Sequence, residues 1–190
     1  ITTRLVGSEM CIRDSFDMFG DKDHPAVMAH CIYSEDEMDL LKEHGVYVAH
    51  CPESNLNLSS GIAPVRKFLE EGIAVGLGSD VAGGSSLSMA KALTLAVQVS
   101  KMYWRLIDEK SKPLTFAEAF YLATAGGGSY FGKVGTFLNG YEFDAVVAED
   151  HIAKDVREYT PIQRTERMMY DESTMTVSYT HLRAHETRSN

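Results

Sequence analysis

Three titratable side chains stand near the ends of short apolar runs. His30 lies in "AVMAHC" (26–31), His50 in "VYVAHC" (46–51), and Asp80 closes "IAVGLGSD" (73–80). If the runs are parallel strands, their carboxyl ends converge on one crevice, where catalytic groups belong. A second constellation is "HLRAHE" near the C-terminus, with His181 and His185 four residues apart. On a helix that spacing puts both imidazoles on one face, the arrangement by which metalloprotease helices present zinc. Each residue also has a plain structural reading. A strand-end histidine is commonly a hydrogen-bonded structural residue, and Asp80 can form an Asx turn. His50 precedes the sharp turn expected at Pro52 in "HCPESN" and is read as a brace for that loop. Cys31 and Cys51 read as small buried apolar side chains. "TAGGGS" (124–129) follows a helix and lacks a P-loop lysine, so it is a weak phosphate signal. "AGGSS" (82–86), ahead of a helix, offers backbone N–H groups to an anion or a ring oxygen.

The "HLRAHE" pair loses its force when its surroundings are back-translated. Residues 177–187, "VSYTHLRAHET", can be coded by a DNA series resembling the transposase-end adapter of sequencing libraries. Residues 5–15, "LVGSEMCIRDS", can be coded by its complementary strand. Neither tract shows a helical or strand period, and the first lacks the apolar run of a signal peptide. Residues 1–15 and 177–190 are therefore expected to be adapter artefact, and Cys11, His181 and His185 are discounted as functional residues.

The net charge is −9, with 18 Lys+Arg against 27 Asp+Glu. The flanks carry Arg4, Arg13, Arg183 and Arg188 against Glu9, Asp14 and Glu186, so setting them aside makes the rest more acidic. An acidic chain without basic runs argues against nucleic acid or an anionic membrane as partner. No apolar stretch is long enough to span a bilayer. Cys31 and Cys51 alone suggest a reduced, cytoplasmic setting without a disulfide framework.

The elements that must position His30, His50 and Asp80 alternate. After the first apolar run comes "SEDEMDLLKEHG" (34–45), with Ser34 as N-cap, Glu37 as its capping-box partner and Gly45 as the stop. After the second comes "APVRKFLEEG" (63–72), and after the third a long 3.6-period helix over 86–109. Strand–helix alternation with nearly continuous apolar strands predicts a parallel α/β sheet buried on both faces. Three such units are too few for a closed barrel. A helix running into glycine-rich chain follows, then a turn-rich approach to one strand over 144–149, and a short helix announced by Thr160-Pro161.

Taken together, "MAHC" with its S-E-D-E helix start, "AHCPESNLNLSSG", "GLGSDVAGG" and "GKVGTFLNGYEFDAVV" resemble the C-terminal half of the guanine deaminases in the amidohydrolase superfamily. The likeness runs over about residues 26–150. It implies about strands six to eight of a (β/α)8 TIM barrel over 16–136, and part of a small β-sandwich domain with a C-terminal helix over 137–176. It further implies one catalytic Zn2+ at the strand ends in the complete enzyme. Asp80 would then correspond to the aspartate that touches the metal and handles the proton of its water. His30 would correspond to the histidine beside that water and the substrate, and His50 is left structural. Zinc brings the pKa of a bound water toward about 7, an Asp can take its proton, and a neutral His can orient it. The implied reaction is guanine plus water to xanthine plus ammonia, with a small purine as substrate and a homodimer as the complete enzyme.

The H-x-H pair, a further metal histidine and the glutamate shuttle of the family are missing from 16–176, whose histidines are His24, His30, His44, His50 and His151. The chain alone is therefore expected neither to hold zinc stoichiometrically nor to deaminate guanine. The alternatives are a fragment of another amidohydrolase acting on S-adenosylhomocysteine or a triazine, and a non-catalytic half-barrel binding protein. The cytidine-deaminase-like fold is set aside, because H-x-E and P-C-x-x-C are absent from 16–176.

Overall fold

A computed structural model describes residues 19–20, 23–151 and 158–182. The expectations for 1–15, including Cys11, and for His185 fall outside these residues. The centre of the fold is a parallel three-stranded sheet of β1 (Val27–Ala29), β2 (Tyr47–His50) and β3 (Ala74–Leu77), with β2 in the middle. Met28 lies level with Val48, and Val48 with Val75; Ala29, Ala49 and Gly76 form the next level. The strands are shorter than the apolar runs containing them. His30 and Cys31 take left-handed backbone angles, φ +70° and +45°, which turn the chain away from the ladder after His30 N–H has bonded Ala49 O.

Helices fill the connections, as parallel pairing requires. A 3₁₀ turn (Glu35–Glu37) leads into α1 (Met38–Glu43) between β1 and β2. The expected capping box does not form, since Ser34 makes no side-chain cap bond. Glu35 in that turn instead accepts from Lys67 Nζ at 2.8 Å and from the Tyr103 hydroxyl; long-range ion pairing sets the geometry there. Gly45 ends the segment at φ +66°, a left-handed position that glycine adopts without steric cost. β2 runs directly into α2 (Pro52–Asn57), a helix where the sequence suggested only a turn; Pro52 in its first turn has no N–H to lose. Next come α3 (Val65–Glu70) and, beyond β3, α4 (Met89–Leu106), whose Ser88 Oγ accepts from Lys91 N–H at 3.1 Å.

The apolar faces of these helices meet the sheet. Leu41 of α1 and Phe68 of α3 are fully buried in one cluster with Val48 and Val75. Leu93 and Val97 of α4 pack with Ala119 of α5 (Phe116–Tyr121) in a second. α5 starts with a complete Thr115–Glu118 capping box. The Glu118 carboxylate also accepts from Arg66 Nη1 and Nη2, each at 2.8 Å, and Arg66 Nε–H donates to Lys112 O at 2.9 Å, tying α3 to the α4–α5 connection.

The glycine run after α5 has a packing purpose. A π-helical turn (Leu122–Gly126) lies against β3, and a Cβ on Gly126 would come within 2.7 Å of Val75 O. A Cβ on Gly76 would come within 2.8 Å of Gly127 Cα. Backbone touches backbone here, which explains "TAGGGS" without any phosphate.

Past this sheet, β4 (Ala145–Asp150) pairs antiparallel with β5 (Met175–His181), and α6 (Pro161–Tyr170) lies between them in sequence with a Thr160–Gln163 capping box. Val177–His181 belong to the tract expected to have no strand period, yet they form strand. Every side chain from Thr176 to His181 is exposed, so the pairing rests on backbone hydrogen bonds, which an open strand edge offers to any extended segment. His181 closes β5 as extended chain, and its partner in the pair, His185, lies outside the described residues. Among the described residues no helix is long and apolar enough to cross a membrane.

Gly76→Ala is expected to destabilise the chain by about 1–3 kcal/mol through overpacking against Gly127. Urea denaturation followed by circular dichroism reads the difference; an unchanged midpoint would contradict the close-approach account.

Candidate functional site

The in-register sheet brings two of the three strand-end groups to one rim. His30 leaves β1 at the level of His50, and Asp80 follows β3 by three residues. His30 Nε2 lies 3.7 Å from Asp80 Oδ2, each side chain somewhat over one third exposed. Asp80 also has a left-handed backbone, φ +46°. Non-glycine residues in that region persist only where their surroundings hold them, and they cluster at functional sites. The loop after Asp80 closes tightly, with Gly84 N–H donating to Asp80 O at 2.6 Å. A Cβ on Gly83 would meet Asp80 Oδ2 at 2.8 Å and Ser54 Oγ at 3.1 Å, so only glycine lets this loop lie against the carboxylate.

His50, the third group, is buried instead. It is 1 % exposed, and neither ring nitrogen has a hydrogen-bond partner among the described residues. Burial, helped by the nearby His30, brings its pKa down to about 4. A neutral buried imidazole fills space; it does not brace the Pro52 loop through hydrogen bonds. Cys51 behaves similarly. Burial and then the Asp80 charge push its thiol up to about 11, so it stays protonated and unreactive at neutral pH.

α2 supplies polar groups beneath the rim. Buried Asn55 accepts from His30 Nδ1–H through Oδ1 at 2.8 Å. Glu53, also buried, accepts from Lys91 Nζ and from the Ser85 hydroxyl. These partners, Lys91 first, hold its carboxyl below the usual range. Asn57 Nδ2 donates to Gly83 O at 3.0 Å. Sequence reasoning missed Asn55, Glu53 and Asn57 as contributors, because it treated "PESNLN" as a turn. The available signal was Pro52 at a helix start, followed by polar side chains where the chain passes under a strand end.

A sequence model described as the Amidohydrolase family matches residues 12–183. The chain belongs to the amidohydrolase family. It is similar to guanine deaminase from Mus musculus, 44 % identical over 139 residues that cover 70 % of this chain and 30 % of that protein. It is also similar to the crystal structure of guanine deaminase from C. acetobutylicum with guanine bound in the active site. The TM-score is 0.80 and the identity 42 %, over 90 % of this chain and 40 % of that one. An adenosine deaminase from Xanthomonas campestris with bound zinc matches at a TM-score of 0.63 and 25 % identity, covering 72 % of this chain and 31 % of that chain. This amidohydrolase chain thus spans about a third of the length of the relatives it matches.

Zinc-bearing amidohydrolase neighbours point to a metal cofactor in the family, and the donor set here can be compared with that need. Zinc takes three or four protein ligands in a tetrahedral arrangement. Among the described residues no group of three or more His, Cys, Asp or Glu side chains is placed to hold an ion. Asp80 offers one open carboxylate with a single imidazole beside it. That suits one corner of such a site, but the described residues do not make a metal centre by themselves.

The His50 account has a pH signature. Between about pH 6.5 and 4 the unfolded chain binds a proton at His50 that the folded chain refuses. Stability is therefore lost as pH falls through that window. In His50→Leu this part of the slope is expected to vanish, leaving the variant's stability flatter than the parent's from pH 6.5 to 4. Equal slopes in urea titrations across that range would contradict a neutral buried His50.

Proposed function

We propose that this chain is a segment of a zinc-dependent guanine deaminase, converting guanine and water to xanthine and ammonia in the complete enzyme. In this reading residues 16–136 are the last strand–helix units of a (β/α)8 barrel and 137–176 part of a small β domain. Residues 1–15 and 177–190 are translated adapter. The observation that carries the proposal is the meeting of His30 and Asp80 at 3.7 Å on one strand-end rim. Its support comes from the 42 % identity of this chain to the C. acetobutylicum guanine deaminase described with bound guanine.

The two residues divide the work. The Asp80 carboxylate accepts a proton from the attacking water and returns it to the departing amine. His30, held by Asn55 through Nδ1–H, presents Nε2 to the same space and orients the water toward the amine-bearing carbon. The loop 82–86, pinned by Asn57 and Glu53, borders the place where the purine ring would lie. Zinc, when bound, would supply Lewis acidity, with Asp80 as the ligand contributed from among the described residues. The complete enzyme is read as a homodimer, by likeness to its family.

Two measurements test this. The purified 190-residue chain, dialysed and analysed for metal, is expected to hold no stoichiometric zinc and to produce no xanthine; one zinc per chain would refute the partial-site reading. In the complete enzyme carrying this segment, Asp80→Asn is expected to lower kcat by about 10²–10⁴-fold. A complete enzyme that deaminates S-adenosylhomocysteine and leaves guanine untouched would replace the substrate assignment with the rival amidohydrolase reading.

A further inference from the structure

His30 is anchored from one side. Its Nδ1–H donates to Asn55 Oδ1 at 2.8 Å across 25 residues of sequence, and Nε2 faces Asp80 Oδ2 at 3.7 Å. Asn55 is itself fixed. It is 3 % exposed, its N–H donates to Cys51 O at 3.1 Å, and its C=O accepts from Ser60 N–H at 2.9 Å. With Asn55 Oδ1 turned to the ring, and Nδ2 buried without a partner among the described residues, the amide end facing His30 can only accept, which places the proton of a neutral His30 on Nδ1. That leaves the Nε2 lone pair turned toward the carboxylate. Two acceptors at this distance do not bond each other, and both border the same partly exposed space.

We propose that Asn55 is a positioning residue that fixes His30 as the Nδ1–H tautomer and aims its Nε2 lone pair at the space shared with Asp80. The same helix secures the other half of the rim. Asn57 Nδ2 donates to Gly83 O at 3.0 Å, and Glu53 holds Ser85 and Lys91. Glu53, Asn55 and Asn57 of α2 thus hold both members of the pair, His30 through its side chain and Asp80 through its loop. This extends the reading of His30 and Asp80 as the reacting pair and rests on it, although the tautomer itself does not depend on any substrate.

The direct test is the imidazole ¹⁵N spectrum of His30 in the 190-residue chain, at a pH where the ring is neutral. The parent chain is expected to show a protonated Nδ1 and a lone-pair Nε2. In Asn55→Leu the Nδ1 signature is lost and the Nε2–H form, favoured by free imidazole in water, becomes the major one. Asn55→Asp keeps an acceptor in place and keeps Nδ1 protonated. A parent chain already in the Nε2–H form overturns the proposal even if neither variant folds, and so does a folded Asn55→Leu with Nδ1 still protonated. In the complete enzyme, Asn55→Leu is expected to lower kcat about 10- to 100-fold while KM moves less, with part of the loss recovered in Asn55→Asp. A change in KM or thermal stability alone would mark Asn55 as merely structural. If guanine is not the substrate, the tautomer measurement still stands, so the two ideas fail separately.

Discussion

The ladder that joins β1, β2 and β3 in parallel register governs the rest of the molecule. Backbone bonds place Ala29, Ala49 and Gly76 at one level, and the chain departs from all three strands on the same side. His30 and Asp80 are 50 residues apart in sequence, and only this register makes them neighbours. A one-residue slip in either pairing would reverse which face each side chain meets. The close glycine contact between β3 and the turn after α5 guards against it, because Gly76 alone leaves room for Gly127.

Electrostatics then sorts the titratable groups beneath that rim. His50 is buried and held neutral, Cys51 is kept as a thiol, and Glu53 is held as a carboxylate by Lys91 and Ser85. Each of these groups has its protonation state settled by burial or by a partner. His30 and Asp80 are the two that keep partial exposure and face each other. The sorting follows from general rules: desolvation disfavours charge on His50 and Cys51, and a cation beside a carboxylate favours it on Glu53.

The β4–β5 pair obeys weaker constraints. Its outward side chains bury little, and its cohesion comes from strand pairing with a register shift between Val147 and Ala148. Such a ribbon forms between any two extended segments with open edges. Strand geometry over Val177–His181 is therefore compatible with a tract whose composition carries no strand signal.

Several features were legible in the amino-acid order. Apolar runs bounded by glycine and polar residues marked the three strands and the alternation with helices, although the burial on both faces that such runs imply is incomplete: Val27 and Ala29 of β1 are exposed and only alternate residues of β2 are fully buried. The strand ends singled out His30, His50 and Asp80, and the family motifs among them were readable without coordinates. Sequence could not separate the three by role, since burial is a property of packing: His50 turned inward to a neutral, unpaired state while His30 turned out through a left-handed backbone. Nor could it find Asn55, because a hydrogen bond between residues 30 and 55 exists only once β1 and β2 lie side by side and a six-residue helix follows the second. Chemistry along the chain is local and belongs to the sequence; distance and solvation are collective, and the folded sheet alone decides them.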